Sequence, residues 1–261
     1  MKIWVIGKRT GLIIITLFLL ILTVFSIGKN ESVTVSGKQR DLPIYCVDKG
    51  DEKVASLSFD AAWGNEDTQQ LIDILGKYNV KATFFVVGEW VDKYPESVKA
   101  LADAGHEIMN HSDTHPHMTK LSKEKMKEEL TNCNNKIESI TGKKPNLFRA
   151  PYGDYNNDVI SAMRECGCYT IQWDVDSLDW KDLSGDEIFK RVTDRVKPGS
   201  IILFHNAAKH TPEALPKIIE KLQSDEYNLI PISQIIYTDN YEIDNSGKQI
   251  QCKAETEQSA E

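Results

Sequence analysis

The chain has 261 residues and a formal net charge of −8, with 31 Lys and Arg against 39 Asp and Glu. That length suits one catalytic domain with appendages. The acidic balance argues against nucleic acid as the main partner, because a phosphate backbone attracts basic surfaces.

An apolar N-terminal segment is the first feature along the chain. Lys2, Lys8 and Arg9 precede an uncharged run from Gly11 to Gly28, which is close to the length that spans a bilayer. Positive residues on its N-terminal side predict a cytoplasmic N-terminus and an extracytoplasmic remainder. A cleaved signal peptide, which would give a secreted protein, is the alternative, but no clear cleavage site follows. We therefore expect residues 1–28 to anchor the protein in the cell membrane as a single-pass helix.

Residues 29–52 are polar and predict a linker or stalk with a short extended piece. From residue 53 to residue 238, strand-like apolar runs alternate with amphipathic helical segments, which predicts parallel pairing and βαβ units. The predicted strands are 54–59, 82–87, 107–110, 146–149, 169–173, 200–204 and 228–231. The predicted helices are 68–78, 95–104, 122–140, 157–166, 186–196 and 212–223.

This pattern predicts an α/β fold in which about seven such units form a barrel or near-barrel. A doubly wound open sheet is the alternative. Residues 239–261 are polar and acidic and predict a disordered tail. The odd number of scattered cysteines argues against a disulfide scaffold, so we expect buried or free thiols. They are Cys46, Cys133, Cys166, Cys168 and Cys252.

Chemically capable side chains follow the predicted strands at the same end. They are Asp60, His111, Arg149, Asp174 and His205. Active sites of (β/α) barrels lie at the carboxyl ends of the strands, so this convergence predicts a catalytic centre. His111 and His115 are four residues apart and would meet on one face of a helical turn, and neutral imidazole binds divalent transition metals. The pair could also be surface or hydrogen-bonding histidines; its neighbours favour a metal-dependent hydrolase.

Five segments, in order, resemble the motifs of carbohydrate esterase family 4, the polysaccharide deacetylases with a NodB-homology domain. The segments are Ser58–Gly64, His111–His115, Arg149–Gly153, Asp174–Trp180 and Leu203–His205. The resemblance covers about residues 54–236 and places the deacetylase domain at 53–238. It implies a deformed (β/α) barrel that hydrolyses N-acetyl groups of an N-acetylhexosamine polymer. The first motif and the anchor are also similar to the sporulation-associated branch of the family.

The resemblance implies a role for each matching position around the scissile bond. His111 and His115 match the metal-binding histidines, with zinc as the expected ion and cobalt or nickel as alternatives. Asp60 matches the catalytic base. Arg149 matches the arginine that pairs with this base and orients it.

The remaining matched positions surround the acetyl group and the leaving nitrogen. Tyr152 matches the residue whose backbone N–H helps to hold the oxyanion and bind the substrate. His205 matches the general acid, and Asp179 matches the carboxylate that tunes this histidine. Trp180 and Leu203 match the walls of the acetyl pocket.

One position departs from the family pattern. The second Asp of the usual Phe-Asp-Asp-Gly motif is a metal ligand, and this chain has Ala61 there. The metal could then be held more weakly by two histidines and waters, or Asp60 could turn to ligate it. Alternatively, catalysis is lost and carbohydrate binding is kept. His117 is a poor substitute ligand, because Pro116 and the spacing are expected to turn it elsewhere.

Several of these side chains also have simpler structural interpretations. Asp60 could cap a helix, and Arg149 could form a surface salt bridge. We expect Asp174 and Asp176 to be structural, in loop hydrogen bonds. Trp63 and Trp173 are expected to be core or groove wall more than specific sugar platforms, and His106 and His210 to be structural or exposed.

The sequence therefore predicts a membrane-anchored, extracytoplasmic enzyme that deacetylates a cell-wall polymer, with peptidoglycan as the leading substrate. Its expected partners are the N-acetylated glycan and the membrane, and not nucleic acid. A catalytically weakened carbohydrate-binding protein of the wall or spore is the alternative from another class, favoured by Ala61. An O-acetyl esterase and a deacetylase of free chitin oligomers are narrower alternatives.

Overall fold

The computed structural model describes Gly7 and residues 40–252. The strands are β1 (Cys46–Val47), β2 (Val54–Ala61), β3 (Thr83–Val86), β4 (Glu107–Asn110), β5 (Leu147–Phe148), β6 (Tyr169–Thr170), β7 (Val175–Asp176), β8 (Ser200–His205), β9 (Asn228–Leu229), β10 (Tyr241–Ile243) and β11 (Lys248–Gln251). The helices are α1 (Thr68–Lys77), α2 (Gly88–Lys93), α3 (Pro95–Asp103), α4 (Lys123–Thr141), α5 (Asn157–Glu165), α6 (Gly185–Thr193), α7 (Thr211–Ser224) and α8 (Ile232–Ile235).

The strands form one curled sheet in the order β10-β11-β1-β8-β2-β3-β4-β5-β6, with β7 beside β8 and β9 beside β2. Pairing from β8 through β2 to β6 is parallel throughout. A single bridge between Ile44 and Ile171 links the far end of this parallel run to the segment that leads into β1, and β1 in turn pairs with β8. The predicted α/β class is confirmed, and the architecture is an incompletely closed, deformed barrel.

Strand β2 is buried on both faces, and its alternation decides which side chains reach the interior. Leu57, Phe59 and Ala61 belong to the apolar core that packs against the helices. Because successive side chains of a strand point to opposite faces, Ser58 and Asp60 face the interior of the barrel. Polar side chains at these two positions are compatible with burial only if the interior supplies hydrogen-bond partners.

Most helix boundaries agree with the sequence prediction to within three residues. The long helix α4 shows why: the Ser122 side chain accepts a hydrogen bond from the Lys125 N–H at 3.4 Å, and the helix ends at Gly142, whose φ of 69° is left-handed. Serine at the N-cap and glycine past the C-terminus are the expected signals. The short helix α2 was not predicted, because it follows β3 without an intervening turn.

The ends of the domain differ from the prediction. Residues 241–251, expected to belong to a disordered tail, form the antiparallel pair β10 and β11, and β11 pairs with β1. Residues 46 and 47 of the expected linker are therefore part of the sheet. The polar composition of residues 241–251 led to the wrong prediction of disorder, because a hairpin on a sheet edge needs few apolar residues to complete its backbone hydrogen bonds.

Apart from Gly7, the predicted anchor (1–28), the linker as far as residue 39 and the tail beyond residue 252 lie outside the described residues. Within the part of the chain that the structure describes, no helix is long and apolar enough to span a bilayer.

We predict that Gly199→Ala destabilises the protein much more than Gly142→Ala. Both glycines have positive φ, so either alanine should cost about 1 kcal/mol. An added Cβ at Gly199 would also lie 1.7 Å from the carbonyl oxygen of Val47, whereas Gly142 has no atom within 4 Å of that position. Urea unfolding of both variants tests this; equal losses would show that the contact between β1 and β8 contributes little to stability.

Candidate active site

Four of the five predicted side chains meet at the carboxyl ends of the parallel strands. Asp60 closes β2 and lies directly opposite His205, which closes β8, in the register of the two strands. His111 and Arg149 follow β4 and β5 at the same edge. The parallel register therefore brings a carboxylate, a guanidinium and imidazoles together, as the strand-end pattern predicts.

A fully buried ion pair lies beneath this edge. Arg149 is 0 % exposed, and its Nη1 donates to Asp60 Oδ1 at 2.7 Å. Its Nη2 donates to Ser58 Oγ at 2.9 Å and to the Gln172 carbonyl at 3.2 Å. The surface salt-bridge interpretation is wrong for this residue. A buried guanidinium with several fixed acceptors instead holds one carboxylate oxygen in place and leaves the other free.

The charge of Asp60 is stabilised despite its burial. Desolvation by itself would raise the pKa of this carboxyl, but the charge of Arg149, with a contribution from His205, holds the pKa below its usual range. Asp60 is therefore ionised at neutral pH. Its free Oδ2 lies 3.6 Å from His111 Nε2, so the base candidate faces the candidate metal ligand.

The two histidines of the second motif are brought together by a tight loop and not by a helical turn. Ser112 and His115 both have left-handed backbones, with φ of 67° and 57°, and the His115 N–H donates to Ser112 Oγ at 3.0 Å. The rings of His111 and His115 lie 5.1 Å apart, centroid to centroid.

Both rings have the neutral form that a metal needs. Burial lowers the pKa of His111, and burial together with the neighbouring His111 lowers that of His115 to about 4. His111 Nδ1 lies 2.8 Å from the Arg149 carbonyl oxygen, which can only accept, so Nδ1 carries the proton. The bare Nε2 then faces Asp60 Oδ2 at 3.6 Å. Two acceptors placed face to face suit a cation or a proton donor between them.

His205 is held by a buried carboxylate. Asp179 Oδ1 lies 2.8 Å from His205 Nδ1, and Asp179 Oδ2 accepts from the His205 N–H at 2.8 Å and from Thr211 Oγ1 at 2.7 Å. Burial opposes a charge on the ring, but the bond to Asp179 raises the pKa of His205 above its ordinary value. Since Nδ1 is engaged, Nε2 is the nitrogen available to a ligand.

Tyr152 has a strained backbone at the rim of the site. Its φ of 61° is left-handed, which is unusual for an aromatic residue and is often found at functional sites. The ring stacks on His117 at 4.4 Å and contacts the edge of His115 at 4.6 Å. His117 itself lies 3.3 Å from Asp154 Oδ2. His117 therefore packs against Tyr152 and does not join the candidate metal ligands, as its spacing in the sequence predicted.

Most of the predicted site residues line one cavity of about 520 Å³, which we call the central cleft. It is lined by Asp60, Trp63, His111, His115, Tyr152, Gly153, Trp173, Asp176, Trp180, Leu203 and His205. Of the nine predicted site residues, the buried Arg149 and Asp179 are not in the lining, and both act through a side chain that is.

Comparison with known proteins identifies the family. The profile for polysaccharide deacetylase matches residues 48–171. The peptidoglycan-N-acetylglucosamine deacetylase of Bacillus cereus is 32% identical over 187 residues, which cover 70% of this chain and 68% of the relative. The chain belongs to the polysaccharide deacetylase family.

Two further members of this family bear on the site. The peptidoglycan-N-acetylmuramic acid deacetylase PdaC of Bacillus subtilis is 37% identical over 184 residues, and these cover 70% of this chain but 39% of that protein. A solved CE4 family pseudoenzyme from Bacillus anthracis is 36% identical, with a TM-score of 0.71, and the match covers 74% of this chain and 68% of that one. Similarity therefore extends to proteins named as enzymes and to one named as a pseudoenzyme.

The family's third metal ligand has no replacement in place. Ala61 is buried among apolar side chains on the helix-facing side of β2. Among residues 40–252, no three His, Cys, Asp or Glu side chains converge closely enough to hold a metal. Two neutral imidazoles fit a divalent ion, and Asp60 Oδ2 lies 3.6 Å from His111 Nε2. The donor set therefore falls short of the three protein ligands typical of a catalytic zinc site.

Both aspartates of the fourth motif make hydrogen bonds of the structural kind expected of them, but Asp174 does not lie at the strand end where the sequence placed it. Asp174 lies at the opposite end of the sheet, where its carboxylate accepts from Ser200 Oγ and from the Ile201 N–H, both at 2.8 Å. It is structural and does not belong to the strand-end cluster. Asp176 makes the expected loop hydrogen bond, accepting from the Leu178 N–H at 2.9 Å, and it also lines the central cleft. Asp174 and Asp176 are only two residues apart, yet one is at the far end of the sheet and the other lines the cleft. The acidic pattern in the sequence does not reveal this difference.

We predict that Arg149→Ala destabilises the protein by about 3–5 kcal/mol, because it leaves Asp60 buried without its partner. Arg149→Lys should recover little, since one ammonium cannot reproduce the contacts to Asp60, Ser58 and Gln172. Urea unfolding measures both losses, with the exposed Arg164→Ala as a control expected near zero. A loss for Arg149→Ala as small as that control would contradict the structural role of the pair.

We also predict that Ala61→Asp tightens zinc binding by about tenfold, or about 1.4 kcal/mol, because it restores a carboxylate at the third position of the family's ligand set and a buried charge gains by turning out of the apolar core toward the two neutral imidazoles. The metal-free variant should melt at a lower temperature, since its carboxylate is buried among apolar groups. Calorimetric zinc titration and thermal melting test the two effects, with Ala62→Asp as a control of equal charge. Unchanged affinity would show that the absent carboxylate does not limit metal binding.

Proposed function

We propose that this protein is a metal-dependent polysaccharide N-deacetylase that removes acetyl groups from N-acetylhexosamine residues of peptidoglycan. One observation carries the proposal: Asp60 and His205, opposite each other on neighbouring strands, are each held by a buried group of opposite charge. A base and an acid kept apart in this way are what amide hydrolysis needs. Similarity to peptidoglycan deacetylases of Bacillus supports the substrate class.

Asp60 is proposed as the base. Arg149 fixes Oδ1 and leaves Oδ2 directed toward the candidate metal ligand. Its lowered pKa keeps it ionised and ready to take a proton from water. A divalent ion held by His111 and His115 would polarise the acetyl carbonyl and make a water more acidic, so that even a weakly basic carboxylate suffices.

His205 is proposed as the acid that protonates the departing nitrogen. An amine leaves poorly without a proton, so the acid must be charged at the working pH. The bond between Asp179 and Nδ1 raises the pKa of His205 and leaves Nε2 as the proton donor. Asp179 is therefore a positioning residue, whose second oxygen is occupied by the His205 backbone and Thr211.

The rest of the central cleft is proposed to bind the acetyl group. The backbone N–H of Tyr152 would donate to the oxyanion, and a donor of this kind typically contributes about 10²–10³-fold in rate. Trp180 and Leu203 line the same cavity and provide apolar walls for the methyl group.

Acetate release from purified peptidoglycan tests the proposal. We expect residues 40–252 to release acetate when zinc or cobalt is supplied and to stop when a chelator is added. His205→Ala should lower kcat by about 10²–10⁴-fold, as for loss of a general acid. His210→Ala, outside the central cleft, should have no effect. No release with any metal would refute the proposal.

A glycan-binding protein without catalysis is the second candidate. It is favoured by the absence of a third metal ligand at Ala61 and by the similarity to a CE4 family pseudoenzyme. A mutant of that pseudoenzyme is described as having restored enzymatic activity. Binding of peptidoglycan without acetate release would support this candidate. Release from O-acetylated but not N-acetylated glycan would instead indicate an esterase.

Three finer points belong to the same proposal and rest on the sequence. The apolar run at 11–28 supports membrane attachment and an extracytoplasmic domain. The first motif supports a role in sporulation. Zinc is favoured over cobalt and nickel as the resident ion.

A further inference from the structure

Trp63 takes no step in the chemistry proposed above, yet it is prominently exposed, and its ring meets the ring of His115 edge-on at 5.8 Å, centroid to centroid. In the described part of the chain, three large apolar side chains are exposed: Trp63 at 58%, Tyr152 at 62% and Trp180 at 58%. All three line the central cleft. Apolar side chains grouped at one cavity and left open to water usually mark a surface that binds a ligand.

The loop that carries Trp63 is fixed from both sides. Asn206 Oδ1 accepts from the Ala62 N–H at 3.2 Å, and the same side chain donates to the Gly64 carbonyl. Trp90 Nε1 donates to that carbonyl as well, at 3.0 Å. Asn206 and Trp90 are themselves buried. The backbone on each side of Trp63 is therefore held while its indole is presented to solvent, which reduces the entropy lost when a ligand binds.

Trp63 lies where three cavities adjoin. Besides the central cleft, it lines a cavity of about 410 Å³ that reaches Lys209 and another of about 430 Å³ that reaches Tyr94. Trp180 lines the first of these two as well, but not the second. A chain of sugars that runs from the central cleft into either neighbouring cavity would therefore pass Trp63.

We propose that Trp63 forms a separate subsite for the sugar next to the one that loses its acetyl group. A hexosamine ring presents a face of C–H groups, and a broad, rigid indole offers the matching apolar surface. The contribution specific to Trp63 would be the affinity for this second sugar of the chain. This inference deepens the proposed function, on which the identity of the reacting sugar rests.

Calorimetric titration with N-acetylglucosamine oligomers of one to four units tests the subsite. The protein is chelator-treated so that hydrolysis does not interfere. We expect the wild-type affinity to rise with chain length. Trp63→Ala should weaken binding of the longer oligomers by about tenfold and leave the single sugar unchanged, whereas Trp63→Phe should retain most of the gain. Trp180→Ala serves as the contrast: Trp180 lines the proposed acetyl pocket, so this variant should weaken binding of the single sugar as well.

Other outcomes would overturn the subsite. These are equal affinity of Trp63→Ala and wild type for all lengths, an equal loss at every length including the single sugar, or no chain-length dependence in the wild type. Thermal melting of each variant separates loss of folding from loss of the subsite. Acetate release by the wild type is measured separately, so a failure of the proposed enzyme activity does not decide whether Trp63 binds sugar.

Discussion

The ion pair between Arg149 and Asp60 is the interaction on which the rest of the site depends. A guanidinium with no exposure is expensive to bury and is tolerated because a carboxylate, a hydroxyl and a carbonyl all accept from it. The pair fixes one oxygen of Asp60, joins β2 to β5 and supplies the positive charge that keeps Asp60 ionised. The carbonyl of the same arginine also sets the proton position on His111.

A buried partner also holds the candidate acid on the other side of the cleft. Asp179 holds both the ring and the backbone of His205, so the acid candidate is aligned as firmly as the base candidate. The imidazoles of His111 and His115 lie between these two candidates, and among the described residues they have no third protein ligand. That ligand is missing because position 61 carries an alanine, which packs as an ordinary core residue.

The sequence predicted the chemistry of the site better than its surroundings. Residues at the ends of long, apolar strands could be placed because parallel strands align their carboxyl ends, and Asp60, His111, Arg149 and His205 follow this rule. Asp174 does not, since its predicted strand is interrupted and turns before β7. The exposure of Trp63 and its fixation by Asn206 depend on contacts between residues 142 positions apart. The hairpin of β10 and β11 was missed because edge strands have little apolar signal.

The pH dependence of deacetylation tests the central claim most directly, namely that a base and an acid are set by two buried partners. The rate should fall at low pH as Asp60 is protonated and fall at high pH as His205 loses its proton. Because Asp179 raises the pKa of His205, Asp179→Asn should move the high-pH limb of kcat/KM to lower pH and leave the low-pH limb in place. A high-pH limb that does not move would contradict the assignment of His205 as the acid tuned by Asp179.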